Sequence, residues 1–149
     1  MSTTHPAKPA VDALLADHLK AWKANDAARL KPLWGASQEP LYLAEEIEET
    51  LADWLAVERY WAMNEGRHAD VQLVISDGVI RDLADGLVIA AYRMDWRIAF
   101  KHKSAMAGDN RVAAVVRLTE YGWRFAAWIE APLAAITYVR SLYTARAGA

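Results

Sequence analysis

The sequence predicts an α+β fold in which N-terminal helices pack on a strongly curved antiparallel sheet and enclose a pocket. Helical periodicity occupies the first half of the chain, and strand periodicity with turn signals occupies the second half. The strongest strand signal is residues 87–103, where every second residue from Val88 to His102 is large and mostly apolar. Because such a strand has one aromatic face, we expect the helices to cover that face.

Two amphipathic helices are expected in the N-terminal half. In residues 9–30 apolar side chains recur every three or four positions, and His18 lies on the same stripe. Residues 41–43 could form a short strand. The second helix is expected over residues 45–64, where acidic residues at the start suit a helix N-terminus.

The second half of the chain contains four runs with strand character, separated by turn signals. The strands are expected at residues 71–75, 87–103, 111–119 and 123–130. The turn signals are at residues 77–78, 85–86, 108–110 and 120–122. A short closing helix is predicted over residues 136–147.

The composition excludes several classes of protein. A chain of 149 residues suits one domain, and we expect a flexible N-terminus at residues 1–8 and a single domain at residues 9–147. The absence of cysteine excludes disulfides and thiol nucleophiles. A net charge of −2, from 17 basic and 19 acidic residues, argues against a nucleic-acid partner. Because no apolar run suits a signal peptide or a membrane span, we expect a cytoplasmic protein without membrane contact.

Three segments resemble a known family. They are AWKANDAARLKPLW at residues 21–34, ERYW at residues 58–61 and GWRF at residues 122–125. They resemble the nuclear transport factor two-like superfamily in its SnoaL-like branch, which includes polyketide cyclases and ketosteroid isomerase-like proteins, over about residues 10–145. The resemblance implies a cystatin-like α+β barrel with a cone-shaped pocket between helices and sheet. It also implies a homodimer formed through the outer face of the sheet.

The catalytic residues of two related enzyme groups match this sequence only in part. For ketosteroid isomerases the resemblance implies a tyrosine eight residues before Asp26, where His18 stands, and an acid where Arg117 stands. Steroid isomerisation is therefore not expected. The Arg-x-Asp and Trp-x-Asp motifs of epoxide hydrolases resemble residues 93–95 and 128–130, which makes Asp95 a catalytic candidate. Alternation places Asp95 on the face opposite Tyr92, so a surface ion pair is the favoured interpretation.

Histidines supply the other candidate acids and bases. His68 stands at the start of the sheet, where scytalone dehydratases carry a histidine, and His102 lies on the aromatic face of residues 87–103. Histidine titrates near neutrality, so either could act as an acid or base in a pocket. His18 and Glu58 lie on the apolar stripes of the two helices, where an ionisable group must be paired or neutral.

The aromatic residues define the walls of the expected pocket. Tyr92, Trp96 and Phe100 should face His18 and Trp22 on the first helix and two tryptophans on the second. The candidate catalytic residues are His18, Tyr92, Asp95 and His102. The candidate ligand-binding residues are Trp22, Tyr42, Trp54, Glu58, Tyr60, Trp61, His68, Trp96 and Phe100.

No metal or cofactor is expected, and three classes of function remain open. The four histidines have no short ligand spacing, and there is no glycine-rich phosphate loop. The first class is a cofactor-independent lyase, isomerase or hydrolase acting on a small apolar aromatic or polycyclic molecule. The second is a non-catalytic ligand-binding or association domain that dimerises through the charged sheet face. The third is a small subunit of a larger enzyme.

Overall fold

The computed structural model describes residues 5–132, which form helices first and a sheet afterwards. The order is α1 (Lys8–Lys23), β1 (Leu41–Leu43), α2 (Trp54–Arg67), β2 (His68–Ala84), β3 (Leu87–Phe100), β4 (Met106–Thr119) and β5 (Gly122–Pro132). Short 3-10 segments at Ala27–Arg29 and Lys31–Leu33 follow α1. The closing helix predicted at residues 136–147 lies outside the described residues.

The five strands form one curved sheet in the order β1-β5-β4-β3-β2. Neighbours from β2 to β5 are antiparallel, and β1 joins β5 in parallel. With both helices packed on this sheet, the predicted α+β class is confirmed. Neither helix in residues 5–132 has the length and hydrophobicity needed to cross a membrane.

Helix α1 follows its predicted periodicity but ends earlier than expected. Val11, Leu14 and His18 are among its buried residues, at the three- and four-residue spacing of one face. The helix stops at Lys23 because Asn25 takes a left-handed conformation with φ 51°. The Asn25 side chain also donates hydrogen bonds to backbone carbonyls at the end of α2 and the start of β2.

Helix α2 begins nine residues later than the sequence indicated, at Trp54 instead of position 45. Asp53 caps it, since its side chain accepts a hydrogen bond of 2.8 Å from the Ala56 N–H. Residues 44–53 form a loop, and the backbones of Tyr42 and Leu51 close its base with bonds of 2.9 and 3.1 Å. The acidic residues at 45 and 46 therefore belong to this loop and not to a helix.

Two of the predicted turns lie inside long strands. Residues 77–78 form a bulge within β2, where Ser76 pairs with Arg93 and Val79 with Ala91. Gly108 lies within β4 and pairs with Trp96. A Cβ at position 108 would lie 2.7 Å from Trp96 Cζ2, so this glycine makes room for the indole ring.

The core is an aromatic cluster between the helices and the inner face of the sheet. Tyr42, Trp61, Phe125 and Trp128 are each 1% exposed. A bulge at residue 126 brings Phe125 and Trp128 to the same face of β5, with ring centroids 5.5 Å apart. The tight packing of these rings fixes the back wall of the adjacent pocket.

Candidate active site

A pocket of about 290 Å³ opens between the helices, the loop at residues 44–53 and the inner face of the sheet. Its walls are mostly aromatic and aliphatic, with a few polar groups among them. The helices contribute His18, Trp22, Met63, Asn64 and Arg67, and strand β3 contributes Met94, Trp96, Ile98 and Phe100. The loop contributes Glu45, Glu46 and Ile47, and strands β4 and β5 contribute Asn110, Trp128 and Glu130.

Glu130 is the ionisable group with the most distinctive environment in the pocket. Its Oε1 accepts a hydrogen bond of 2.7 Å from Trp128 Nε1, and its Oε2 accepts one of 3.2 Å from the Glu45 N–H. Burial raises the pKa of Glu130 from 4.5 to about 7, against the smaller opposing effect of these two bonds. A carboxyl group with this pKa can both release and accept a proton near neutral pH.

His18 on α1 packs on Trp128, with ring centroids 4.2 Å apart and an angle of 33° between the ring planes. Trp22 Nε1 donates a hydrogen bond of 3.0 Å to His18 Nε2, and burial lowers the pKa of His18 from 6.5 to about 3. The imidazole is therefore neutral, and the bond from Trp22 assigns its hydrogen to Nδ1. Within residues 5–132, that buried Nδ1 has no hydrogen-bond partner.

The loop at residues 44–53 places two further carboxyl groups beside Glu130. Burial raises the pKa of Glu45, and the nearby Asn110 and Trp96 side chains partly oppose this rise. Tyr60 donates a hydrogen bond of 2.5 Å from its hydroxyl to Glu46 Oε1. The charges of Glu45 and Glu46 add to the rise in the Glu130 pKa because like charges disfavour ionisation.

Six of the residues proposed from the sequence line this pocket. They are His18, Trp22, Tyr42, His68, Trp96 and Phe100. His68 is 4% exposed and packs edge-on against Phe100, with ring centroids 5.4 Å apart. Burial is the main cause of a lowered pKa at His68, so this histidine favours its neutral form.

The structure places three charged candidates outside the pocket: His102 and Glu58 lie away from their expected faces, and Asp95 lies on the outer face that alternation predicted. His102 lies beyond the end of β3 and is exposed, so it does not lie on the aromatic face. Asp95 lies on the outer face of the sheet and pairs with Arg93 at 3.2 Å. Glu58 is exposed on α2 and pairs with Lys31 at 2.7 Å, because the face of α2 that carries it points to solvent.

Four aromatic candidates lie behind the pocket walls instead of lining them. Trp61 is buried in the core, and Trp54 donates from Nε1 to the Gln38 carbonyl at 3.1 Å. Tyr60 does not line the pocket, and its hydroxyl donates a hydrogen bond to Glu46 Oε1. Tyr92 packs against Trp128 with centroids 5.9 Å apart, and burial raises the pKa of its hydroxyl well above the ordinary value. From α2, Met63, Asn64 and Arg67 line the pocket instead.

Glu45 and Asn110 are pocket residues that the sequence analysis did not propose, and Glu130 entered it only as the last residue of the segment that resembles Trp-x-Asp. A signal for Glu130 was present, because it lies two positions after Trp128 and strand alternation places both on one face. Asn110 was assigned to a turn. Glu45 was assigned to a helix, and nothing in the local sequence indicates that it reaches the sheet.

A second cavity of about 370 Å³ lies between α1 and the bulge of β2. Lys8 and Asp12, which both line it, pair with each other at 2.5 Å. Acid and base groups with shifted pKa values converge in the first pocket, so the first pocket is the candidate active site. In the part of the chain from 5 to 132, no group of three or more potential metal ligands converges.

No family model matches the sequence, and no curated protein matches it. Solved structures match the fold over most of its length. A putative aromatic ring hydroxylase from Novosphingobium aromaticivorans has a TM-score of 0.79 at 12% identity, covering 87% of this chain and 92% of that one. A nuclear transport factor 2-like superfamily protein from Salmonella enterica has a TM-score of 0.75 at 13% identity, covering 85% and 90%.

A third solved structure is a putative calcium/calmodulin dependent protein kinase II association domain from Xanthomonas campestris. Its TM-score is 0.74 at 17% identity, covering 88% of this chain and 93% of that one. Other matches are a hexachlorocyclohexane dehydrochlorinase and a ketosteroid isomerase-like protein from Erwinia carotovora. The chain therefore has the nuclear transport factor two-like fold, as the resemblance predicted, and this fold carries both small-molecule enzymes and association domains among its neighbours.

Proposed function

We propose that this protein is a cofactor-independent enzyme that transfers a proton on a small apolar ring compound, as a lyase, isomerase or hydrolase. The observation that carries this proposal is a carboxyl group, Glu130, with a pKa of about 7 inside an aromatic pocket. Aromatic walls suit a flat apolar ligand, and a carboxyl group poised near neutrality suits an acid or base. The fold also carries enzymes of these classes among its structural neighbours.

The proposed proton transfer uses the two groups that flank Trp128. Glu130 as carboxylate takes a proton from a carbon next to an electron-withdrawing oxygen group, and the C–H electron pair moves toward that oxygen. His18 remains neutral throughout, and its Nδ1–H donates a hydrogen bond, without transfer of the proton, to the oxygen that gains charge. The electron pair then returns from the oxygen. In an isomerisation it bonds another carbon to the proton of Glu130; in an elimination it forms a C=C bond, the C–O bond to the leaving group breaks, and the leaving oxygen takes the proton of Glu130.

Exchange of a carbon-bound hydrogen in deuterium oxide tests this step without knowledge of the natural substrate. The probe is β-tetralone, a compact two-ring ketone with acidic hydrogens beside the carbonyl, and exchange is followed by proton NMR. The wild-type protein should accelerate exchange, with a rate that rises with pH through an apparent pKa of about 7. Glu130→Gln should lower the rate by roughly a hundredfold or more.

Glu58→Gln is the matched control, because Glu58 is an exposed carboxyl group paired with Lys31 far from the pocket lining. This variant should exchange β-tetralone at the wild-type rate. Equal exchange rates for wild type and Glu130→Gln would contradict the proposed acid–base role.

A second candidate function is homodimeric association through the outer face of the sheet. Arg93 on this face is exposed and contacts Asp95 at 3.2 Å and Asp109 at 2.6 Å. A face that carries both charges can pair with its own copy about a two-fold axis. The Xanthomonas neighbour, which is described as an association domain, supports this candidate. The cytoplasmic location expected from the sequence stays a prediction.

A further inference from the structure

Three polar side chains cross the pocket face of the sheet along a diagonal, and the proposed proton transfer uses only one of them. Glu130 on β5 pairs with Val112 on β4. Asn110, two residues before Val112, pairs with Met94 on β3, and Trp96 lies two residues after Met94. Because side chains alternate along a strand, Trp96, Asn110 and Glu130 share the inner face, and each is a diagonal neighbour of the next.

The polar atoms around Asn110 lack hydrogen-bond partners. Among the described residues, Trp96 Nε1, Asn110 Oδ1 and Glu45 Oε2 are buried without a partner at hydrogen-bond geometry, although the Trp96 and Asn110 side chains lie near enough to Glu45 to lower its pKa. Asn110 is 1% exposed, and all three residues line the pocket. Buried polar atoms in native proteins are normally paired, so an unpaired set of donor and acceptors in a pocket indicates a ligand group that completes them.

The backbone holds the Trp96 indole in this position. Gly108 lies opposite Trp96 on β4, and a Cβ there would approach Trp96 Cζ2 to 2.7 Å. The absence of a side chain at Gly108 therefore allows the indole to lie across β4, beside Asn110. This arrangement keeps the indole N–H close to the Glu45 carboxyl group, whose pKa it lowers.

We propose that Trp96, Asn110 and Glu45 bind a hydroxyl group of the ring compound. A hydroxyl group accepts a hydrogen bond from Trp96 Nε1 and donates its own hydrogen to Asn110 Oδ1 or Glu45 Oε2. An ether or carbonyl oxygen could satisfy only the donor, and an ammonium group could satisfy only the acceptors. The substrate class is therefore a hydroxylated apolar ring, a phenol or cyclic alcohol. This inference rests on the proposed function, because the hydroxyl site and Glu130 share one pocket.

Three probes of nearly equal ring size test the hydroxyl site. They are β-naphthol, its methyl ether and naphthalene, titrated against tryptophan fluorescence at a pH where β-naphthol is un-ionised. The wild-type protein should bind β-naphthol roughly tenfold more tightly than the methyl ether, the factor expected for one additional hydrogen bond. The methyl ether should bind more tightly than naphthalene, because its oxygen still accepts a hydrogen bond from Trp96 Nε1.

Two variants test whether the hydrogen bonds to the probe arise at the proposed site, and a third variant serves as control. Asn110→Leu removes the amide acceptor with little change in size and should lower the affinity ratio of β-naphthol to its methyl ether toward one. Trp96→Phe removes the N–H donor together with part of the ring and should weaken both β-naphthol and its methyl ether relative to naphthalene, because both oxygens accept from Trp96 Nε1. Trp54→Phe should retain the wild-type ratio, because the Trp54 N–H bonds to the Gln38 carbonyl outside the pocket.

The outcomes separate this inference from the proposed function. Equal affinities for β-naphthol and its methyl ether in the wild type, or an affinity ratio of these two probes that is unchanged in Asn110→Leu, would overturn the hydroxyl site. If Glu130→Gln still abolishes exchange of β-tetralone in that case, the proposed function stands. If none of the three probes binds, the ligand pocket is wrong and both proposals fail.

Discussion

Replacing Glu130 by glutamine should make the stability of the protein less sensitive to pH. Burial raises the pKa of Glu130 from 4.5 to about 7, so ionisation of this group opposes folding. Below pH 4.5 the carboxyl group is neutral in both the folded and the unfolded protein. As the pH rises from 4.5 toward about 7, the unfolded protein ionises this group while the folded protein does not, so stability is lost over this range and is level above it. Glutamine has no charge to bury.

The size of the effect follows from the pKa difference. A rise from 4.5 to about 7 corresponds to about 3 kcal/mol, because each pKa unit is worth about 1.4 kcal/mol. Residual contact of Glu130 with solvent screens its charge, so a difference between about 1 and about 3 kcal/mol is expected. Glutamine also places an N–H₂ group against the Glu45 N–H. This contact between two donors lowers the stability of the variant by the same amount at every pH.

Urea unfolding at about pH 5 and about pH 8, followed by tryptophan fluorescence, measures this difference. The quantity of interest is the change in unfolding free energy between the two pH values, compared between wild type and Glu130→Gln. Subtracting the value for the variant from the value for the wild type cancels the contributions that other titrating groups make equally to both proteins. Glu58→Gln should behave as wild type because its carboxyl group is exposed. Parallel pH profiles for wild type and Glu130→Gln would refute the assignment of a raised pKa.

Three further predictions test the pocket and the sheet face. Gly108→Ala should force the Trp96 ring to move, because the new Cβ would lie 2.7 Å from Cζ2, and should cost roughly 1–3 kcal/mol in urea unfolding together with loss of β-naphthol binding. An unchanged β-naphthol affinity would refute the close contact. Burial lowers the pKa of His18 from 6.5 to about 3, so wild type should lose stability as the pH falls from 6.5 toward 3, and His18→Gln should lose less over that range in acid unfolding. Arg93→Glu places a third negative charge beside Asp95 and Asp109 and should shift the protein from dimer to monomer in sedimentation. Sedimentation of the wild type as a 16.6 kDa monomer at micromolar concentration would rule out the dimer.

The architecture could be predicted from the sequence because its signals are local. Alternation along residues 87–100 reports the two faces of β3 directly, and helical spacing around His18 reports the buried face of α1. The turn prediction failed at Gly108 because a glycine that makes room for a facing indole has the same sequence signal as a turn glycine.

The candidate site could be predicted only in part because its chemistry depends on contacts distant in sequence. The pKa of Glu130 reflects burial against a loop that is 85 residues earlier in the chain. The acidic start of that loop resembles a helix N-terminus, whereas the actual cap is Asp53. The bulge at residue 126 also shifts the alternation of β5, so the inward face of Glu130 can be inferred from Trp128 but not from Phe125.

The central claim is that Glu130 is an acid–base group poised near neutral pH. A titration of the side-chain carboxyl carbons by NMR, on protein labelled at glutamate and with Glu130→Gln to assign the resonance, tests this claim most directly. We expect one carboxyl resonance to titrate with a pKa of about 7 and to be missing from the variant. A Glu130 resonance that titrates near the ordinary value of 4.5 would contradict the proposed site.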